Sequence, residues 1–430
     1  MIAAVLGAWL VGACAAQEPP RPPARDDGPY ARASWNELHR ALLSRVDAQG
    51  REHALDAPDP LLWPGSTYLL REPRLGAALA ALDAFTAGGA RERAEPPLER
   101  ALLQRDLWSI GDWLAARAHG PDAAACRALG ERLARSIGLV APTRAEIDAL
   151  PDGLATSRAT GAPVDLFEPN GPWVELDAVS AIRPLTPAHD AHAGGRSAFS
   201  VHLSVPGGRA ETLAYLERLR AFDAPLVQHL LNPATPQFPP GTSVALARRA
   251  LLVSNAGELV RSPLVESVQL RTFTGFGDAL PRAGELLAQD QAPLQRVAEF
   301  ELDRRALLRT RSDGLRAVGA DDTAYPLFGT HGDDPLEHPD GHGGPPRRLD
   351  GCVQCHGAPG IFSLVSYTGV ATGPGTHFQF ELGRAPVRFE PVDRAAADEA
   401  ALRFKAARPD WPPLRDALVR KSQPVPSGTR

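Results

Sequence analysis

The spacing of apolar residues changes once along the chain, near residue 150, and that change restricts the possible folds more than any other feature. From Ser34 to Leu150 apolar residues recur at helical intervals. Ser34 with Glu37 reads as a capping box ahead of Trp35, Leu38, Leu42 and Val46 on one face, and Gly50 is placed to end that helix. A second helix is expected after Pro73. Pro97 to Ala118 reads as a long amphipathic helix carrying Leu98, Leu102, Leu103, Ile110, Trp113 and Leu114, and Pro121 suits the first turn of the next. In that next helix Cys126, Leu129, Leu133 and Ile137 form a stripe. Cys126 therefore reads as a small buried hydrophobe, with a reactive thiol as the alternative.

Beyond Leu150 the pattern shortens to strand length. Trp173 to Ile182, Phe199 to Val205, Ser243 to Ser254 and Leu259 to Phe273 are β-type runs, and Asn255-Ala256-Gly257-Glu258 reads as a hairpin loop. Ser200 to Val205 alternates strictly, which puts His202 on a polar face and predicts a solvated side chain. Gly208 to Phe222 is expected to be one helix set against these strands. From Tyr325 to Arg384 periodicity is lost among Gly, Pro, His and Asp; Arg394 to Ala407 then reads as a short helix with Ala397, Ala401 and Phe404 inward, followed by Pro-broken chain. The expected class is α+β and multidomain: a helical region over 34–150, a mixed or β-rich region over 151–320, and a loop-rich segment with short helices over 321–430.

Residues 1–16 and 17–33 read as an export leader and a tether. Ile2 to Ala16 is uncharged and nearly all apolar or small, too short to span a bilayer but suited to a signal-peptide core. Its end, Val11-Gly12-Ala13-Cys14, resembles the lipobox of bacterial lipoproteins, which implies lipidation at Cys14 and a membrane anchor; ordinary cleavage near Ala16-Gln17, discarding Cys14, is the alternative. Pro19, Pro20, Pro22, Pro23 and Pro29 make the following stretch stiff and extended. An exported protein, periplasmic or at the outer surface, is the resulting expectation. A net charge of −5 without a basic block argues against a nucleic-acid partner, and four cysteines are too few for a disulfide framework in 430 residues.

One motif carries specific chemistry. Cys352-Val353-Gln354-Cys355-His356 is C-x-x-C-H, and at this composition its chance occurrence is on the order of 0.001, so coincidence is a poor explanation. Two thiols three residues apart can each add to one haem vinyl group, and the next residue then offers an imidazole to the iron. The run Gly351 to Gly360 resembles the attachment segment of bacterial c-type cytochromes. That resemblance covers about ten residues and implies thioether links at Cys352 and Cys355, one covalent haem c, and iron ligation by His356.

Those cytochromes commonly use a distal methionine, whereas the one methionine here is Met1, in the leader. The expected ligation is therefore not Met/His. His/His, another nitrogen or oxygen ligand, or an open iron face remain, and losing a thioether ligand lowers the reduction potential. Five of twelve histidines fall between His331 and His377, with His377 the first candidate for a distal ligand and His331 or His342 next.

The rival readings are chemically distinct. His338 and His342 with Cys352 and Cys355 form a reversed Cys2His2 zinc set, which leaves His356 unexplained. A thioredoxin-like dithiol needs a helix start that the Gly/Pro-rich sequence does not supply. Asp333, Asp334, Glu337 and Asp340 lack a calcium-loop pattern and read as a hydrated acidic loop. The expected function is electron transfer with an unidentified redox partner, protein or small molecule. A haem enzyme of peroxidase or oxidase type, with an open distal face, is the alternative.

Overall fold

Two long strands and their tight turn form the centre of the molecule. In the computed structural model, which describes residues 28–117, 119–177, 196–222, 226–227, 230–231, 234–275, 295–325, 333–339, 344–350, 360–365 and 389–422, Ser243–Val253 and Leu259–Phe273 pair antiparallel. Gly257 takes φ of 80° in the turn, and Ser254 N–H donates to Glu258 O at 2.8 Å to close it. The shorter elements assemble around this hairpin.

Among the described residues the strands are β1 (Arg45–Val46), β2 (Glu52–His53), β3 (Val174–Leu176), β4 (Ser197–Ser204), β5 (Leu226–Val227), β6 (Leu230–Leu231), β7 (Ser243–Val253), β8 (Leu259–Phe273), β9 (Gln295–Leu302) and β10 (Leu315–Ala317). Six of them form one antiparallel sheet in the order β10-β9-β8-β7-β4-β3. The register between β7 and β8 shifts at Arg248/Arg249 and again between Arg249 and Leu251. Such a bulge re-aims neighbouring side chains.

The helices are α1 (Ala33–Leu43), α2 (Arg74–Gly88), α3 (Ala90–Arg93), α4 (Pro97–Ala115), α5 (Ala123–Val140), α6 (Arg144–Asp148), α7 (Arg209–Ala221), α8 (Arg304–Thr310), α9 (Phe362–Val365), α10 (Arg394–Ala406) and α11 (Trp411–Ser422). The chain is thus a mixed α+β protein. Two apolar clusters hold it together. The larger joins Trp35, Leu82, Leu102, Trp108 and Leu133 from the helices to Ala245, Leu252, Val265 and Phe300 from the sheet, with Ala401 and Trp411 from α10 and α11. The smaller contains Val201, Leu203, Tyr215, Phe238, Phe273, Ile361 and Leu364. No described helix is long and apolar enough to cross a membrane.

Local signals placed the helices better than their ends. α2 follows Pro73, α4 starts with Pro97 in its first turn, and the α5 stripe of Cys126, Leu129, Leu133 and Ile137 is buried as expected. The capping box at Ser34 does not form: the helix starts one residue earlier, so Ser34 lies inside its first turn, where its Oγ is buried without a partner. Asn36 instead ties the preceding chain to the helix, accepting from Tyr30 N–H at 3.0 Å and donating to Tyr30 O at 2.6 Å. Gly50, with φ of 76°, turns the β1–β2 hairpin rather than ending α1, and Val46 is 48% exposed. A capping box that the spacing argument overlooked is present at Thr143 and Glu146.

Three further expectations are corrected. The chain after α10 is not Pro-broken: Pro412 and Pro413 sit in the first turn of α11, where a missing N–H costs no helical bond. His202 is 2% exposed, because α10 and the Phe167 loop cover its face of the sheet. The acidic loop is not hydrated at its centre. Asp334 is fully buried against Arg45 (2.9 Å) and Ser66 (2.5 Å), and Glu337 accepts from Thr67 and Tyr68 N–H at 2.8 Å each. Asp333 is exposed, and Asp340 lies outside the described residues. The strand expected over Trp173 to Ile182 is described only as β3, its end falling outside the described residues.

Candidate functional site

Cys352, Cys355 and His356 lie outside the described residues, as do His331, His342, His377 and Cys14. The chain on either side of the motif is described, and on both sides it is tied to the sheet. Before it, Arg348 N–H donates to Asp322 O at 2.9 Å and Ala324 N–H to Pro346 O at 3.1 Å. The Arg348 guanidinium spans Glu299 (3.1 Å) and Glu301, both on β9, and Arg316 from β10 also reaches Glu301. Burial pushes the Glu299 carboxyl up, and Arg348 beside it opposes that rise.

After the motif, Ile361 is fully buried and Leu364 is buried beside Phe238 and Phe273 in the smaller core. Ile361 N–H donates to Gln237 Oε1 at 3.3 Å, and Ser363 Oγ accepts from Arg271 Nη1 at 3.0 Å. Gly360 adopts φ of 55°, a conformation suited to glycine. The described chain therefore stops at one sheet-anchored point before the motif and resumes at another after it. The donor set Cys-x-x-Cys-His fits covalent haem on chemical grounds, through two thiols for the vinyl carbons and an imidazole for the iron.

Elsewhere, two charged clusters invite comparison. The first surrounds α4, which is buried on nearly every side and brings polar residues with it. Asp59 takes Arg105 (2.7 Å), Arg196 (2.8 Å) and Arg248 (2.7 Å); Arg105 and Arg248 (3.4 Å) both reach Glu266. Asp106 receives Tyr30 Oη and Arg304 Nη2, with His39 Nε2 at 3.2 Å but outside hydrogen-bonding geometry. Burial disfavours the charged carboxylates here, yet the facing guanidiniums outweigh it and hold Asp59 and Asp106 well below the usual carboxylate range. Every guanidinium in this group meets a carboxylate, so the cluster is a compensated tie between helices and sheet.

The second cluster is compensated only in part. It gathers Glu175 (β3), His202 (β4), Arg249 (β7), Arg261 (β8) and Arg394 (α10) about Phe167, in the loop before β3. Arg249 Cζ lies 3.6 Å from the Phe167 ring centroid and Arg394 Cζ 5.4 Å from it, while the His202 ring meets its edge at 5.5 Å. Arg261 pairs with Asp398 and lies 3.7 Å from Glu175. Burial, reinforced by these three arginines, holds the His202 imidazole neutral, far below its ordinary value; burial likewise pushes Glu175 up. Strand alternation indicated a polar face here. That Arg249 and Arg394, distant in sequence, converge on one ring beside Arg261 carried no sequence signal.

Cys126 is a free, buried thiol raised by burial, which fits a packing role. His338 is exposed, and the other members of the reversed zinc set lie outside the described residues. Among the described residues no three His, Cys, Asp or Glu side chains converge as a metal site. Comparisons with family models, curated proteins and solved structures find no match to this chain.

Proposed function

We propose that this chain is an exported mono-haem c-type protein that transfers electrons, with haem held by Cys352 and Cys355 and the iron by His356. The observation that carries the reading is the C-x-x-C-H motif, whose thiols and imidazole suit one porphyrin. Its support is twofold. Covalent attachment takes place outside the cytoplasm, which agrees with the apolar leader and the lipobox-like Cys14. The anchored flanks, Arg348 on β9 and Ile361 and Leu364 in the smaller core, restrict where a segment of nine residues can travel.

In this reading the helical and α+β regions, 34–150 and 151–320, present a loop-rich haem segment over 321–430 to a redox partner, and Cys14 tethers the protein to a membrane. The haem when bound supplies a one-electron couple. The protein supplies the thiols, the proximal imidazole and a distal group other than methionine, with His377 as first candidate.

The test is to produce the full chain in cells with the haem-attachment machinery. A reduced α-band of c-type haem, with pigment that survives denaturing electrophoresis and is lost in Cys352→Ala/Cys355→Ala, is the expected result. A colourless, zinc-containing product would overturn it. Carbon monoxide binding to the reduced protein separates the readings: inertness fits a six-coordinate carrier, and binding fits the enzyme alternative. Retention of Cys14→Ala in the membrane fraction would exclude lipidation there.

A further inference from the structure

The arginine cluster around Phe167 carries an inference independent of haem. Arg249 is 8% exposed, yet among the described residues no carboxylate lies within ion-pairing distance of it. Its Nε and the Nε and Nη2 of Arg261 are buried without hydrogen-bond partners. A buried cation with vacant donors is costly, because the desolvation of the charge is not repaid. The α4 cluster shows the ordinary remedy in the same molecule, where Arg105, Arg196 and Arg248 all face Asp59. At Phe167 the remedy is incomplete: three guanidiniums face two carboxylates, Glu175 and Asp398, both of which reach Arg261 rather than Arg249.

We propose that Arg249, Arg261 and Arg394 form a binding site for a small oxyanion, a carboxylate or a phosphate, seated beside Phe167. Guanidinium forks present paired donors at the spacing of carboxylate and phosphate oxygens. Phe167 fixes the plane of Arg249 from one side, which leaves its edge donors for a ligand. Access is from the Arg394 end, since Arg394 is exposed and Phe167 half-buried while Arg249 is buried and the Arg261 side chain is 3% exposed. The N-terminus of α10 is not itself the receptor, because Asp393 already accepts from Ala395 and Ala396 N–H. Burial and the two neighbouring arginines push Arg249 down to about 9, which agrees with a cation awaiting its counter-charge.

The experiment is calorimetric titration and thermal unfolding of the full chain with inorganic phosphate and with succinate, against sodium chloride at matched ionic strength. Saturable binding of either anion, with a rise in Tm beyond the chloride control, is expected. Phosphate alone binding identifies a tetrahedral oxyanion, and succinate alone a carboxylate. Arg249→Met should weaken binding about tenfold or more while leaving the anion-free Tm equal or higher, since it removes an unpaired buried charge. Arg394→Met, at the exposed end, tests the same site should Arg249→Met fail to fold, and should weaken binding at least about threefold. Absence of binding by both anions, or wild-type affinity in the folded variants, would overturn the proposal.

Discussion

Removing the Asp106 carboxylate should unfold the protein at a measurably lower temperature, because that group is the only acidic partner of Arg304 among the described ion pairs. Both side chains are essentially buried, at 0% and 1% exposure, and Tyr30 Oη also donates to Asp106. Asp106→Ala leaves the Arg304 cation buried with backbone carbonyls of Asp56, Ala57 and Pro58 as its remaining acceptors. Breaking a buried pair from one side costs about 3–5 kcal/mol. At about 2.1 cal/mol/K per residue, 430 residues unfolding together have an entropy near 0.9 kcal/mol/K, so the expected fall in Tm is about 3–6 °C. Calorimetry at pH 7 measures it. Asp106→Asn, which keeps shape and an acceptor for Tyr30, should lose most of the same amount, which assigns the loss to charge. Asp106→Leu with Arg304→Met should recover much of it. A loss below about 1 kcal/mol in Asp106→Ala, or a double variant less stable than either single one, would refute the reasoning.

Acidification supplies a second test. His39 and His202 are held neutral by burial, so between their lowered native values and about 6.5 the unfolded chain binds protons that the native chain does not. Stability should therefore fall as pH drops below about 6.5, with a slope of up to about 1.4 kcal/mol per pH unit for each histidine; His202→Gln should reduce that slope, measured by urea unfolding at pH 5 to 7. Arg348→Ala should cost about 1–3 kcal/mol, because Glu299 and Glu301 lose the cation that holds the chain before the motif; a change under about 0.5 kcal/mol would show that this anchor is dispensable. Cys126 should resist a thiol reagent in the native protein and react once it is unfolded. Rapid native labelling at Cys126 would contradict its placement in the α5 stripe.

Periodicity made much of the secondary structure legible. The α5 stripe and the β7–β8 hairpin are local patterns, and each was readable because a few adjacent residues decide it. Exposure was less legible. Ser200, His202 and Ser204 alternate with apolar residues as a solvated face would, but burial depends on which helix lands there, and α10 comes from some two hundred residues downstream. β9, β10 and α8 were missed: β9 carries charged Glu299 and Glu301, which weakens its apolar signal, and those charges are met by Arg316 and Arg348, from β10 and the chain before the motif.

The candidate sites divide along the same line. The C-x-x-C-H motif is fixed by sequence alone, since its chemistry needs two thiols and an imidazole within five consecutive residues, and no tertiary contact is required to bring them together. The Phe167 cluster is the opposite case. Arg249, Arg261 and Arg394 acquire a common environment only when β7, β8 and α10 pack, and whether a charge is compensated is a property of the space around it. In a chain with 46 basic residues, of which only Lys405 and Lys421 are lysines, arginine is too common for its identity to mark a site. Burial without a carboxylate partner among the described residues is what distinguishes Arg249, and only the folded structure decides that.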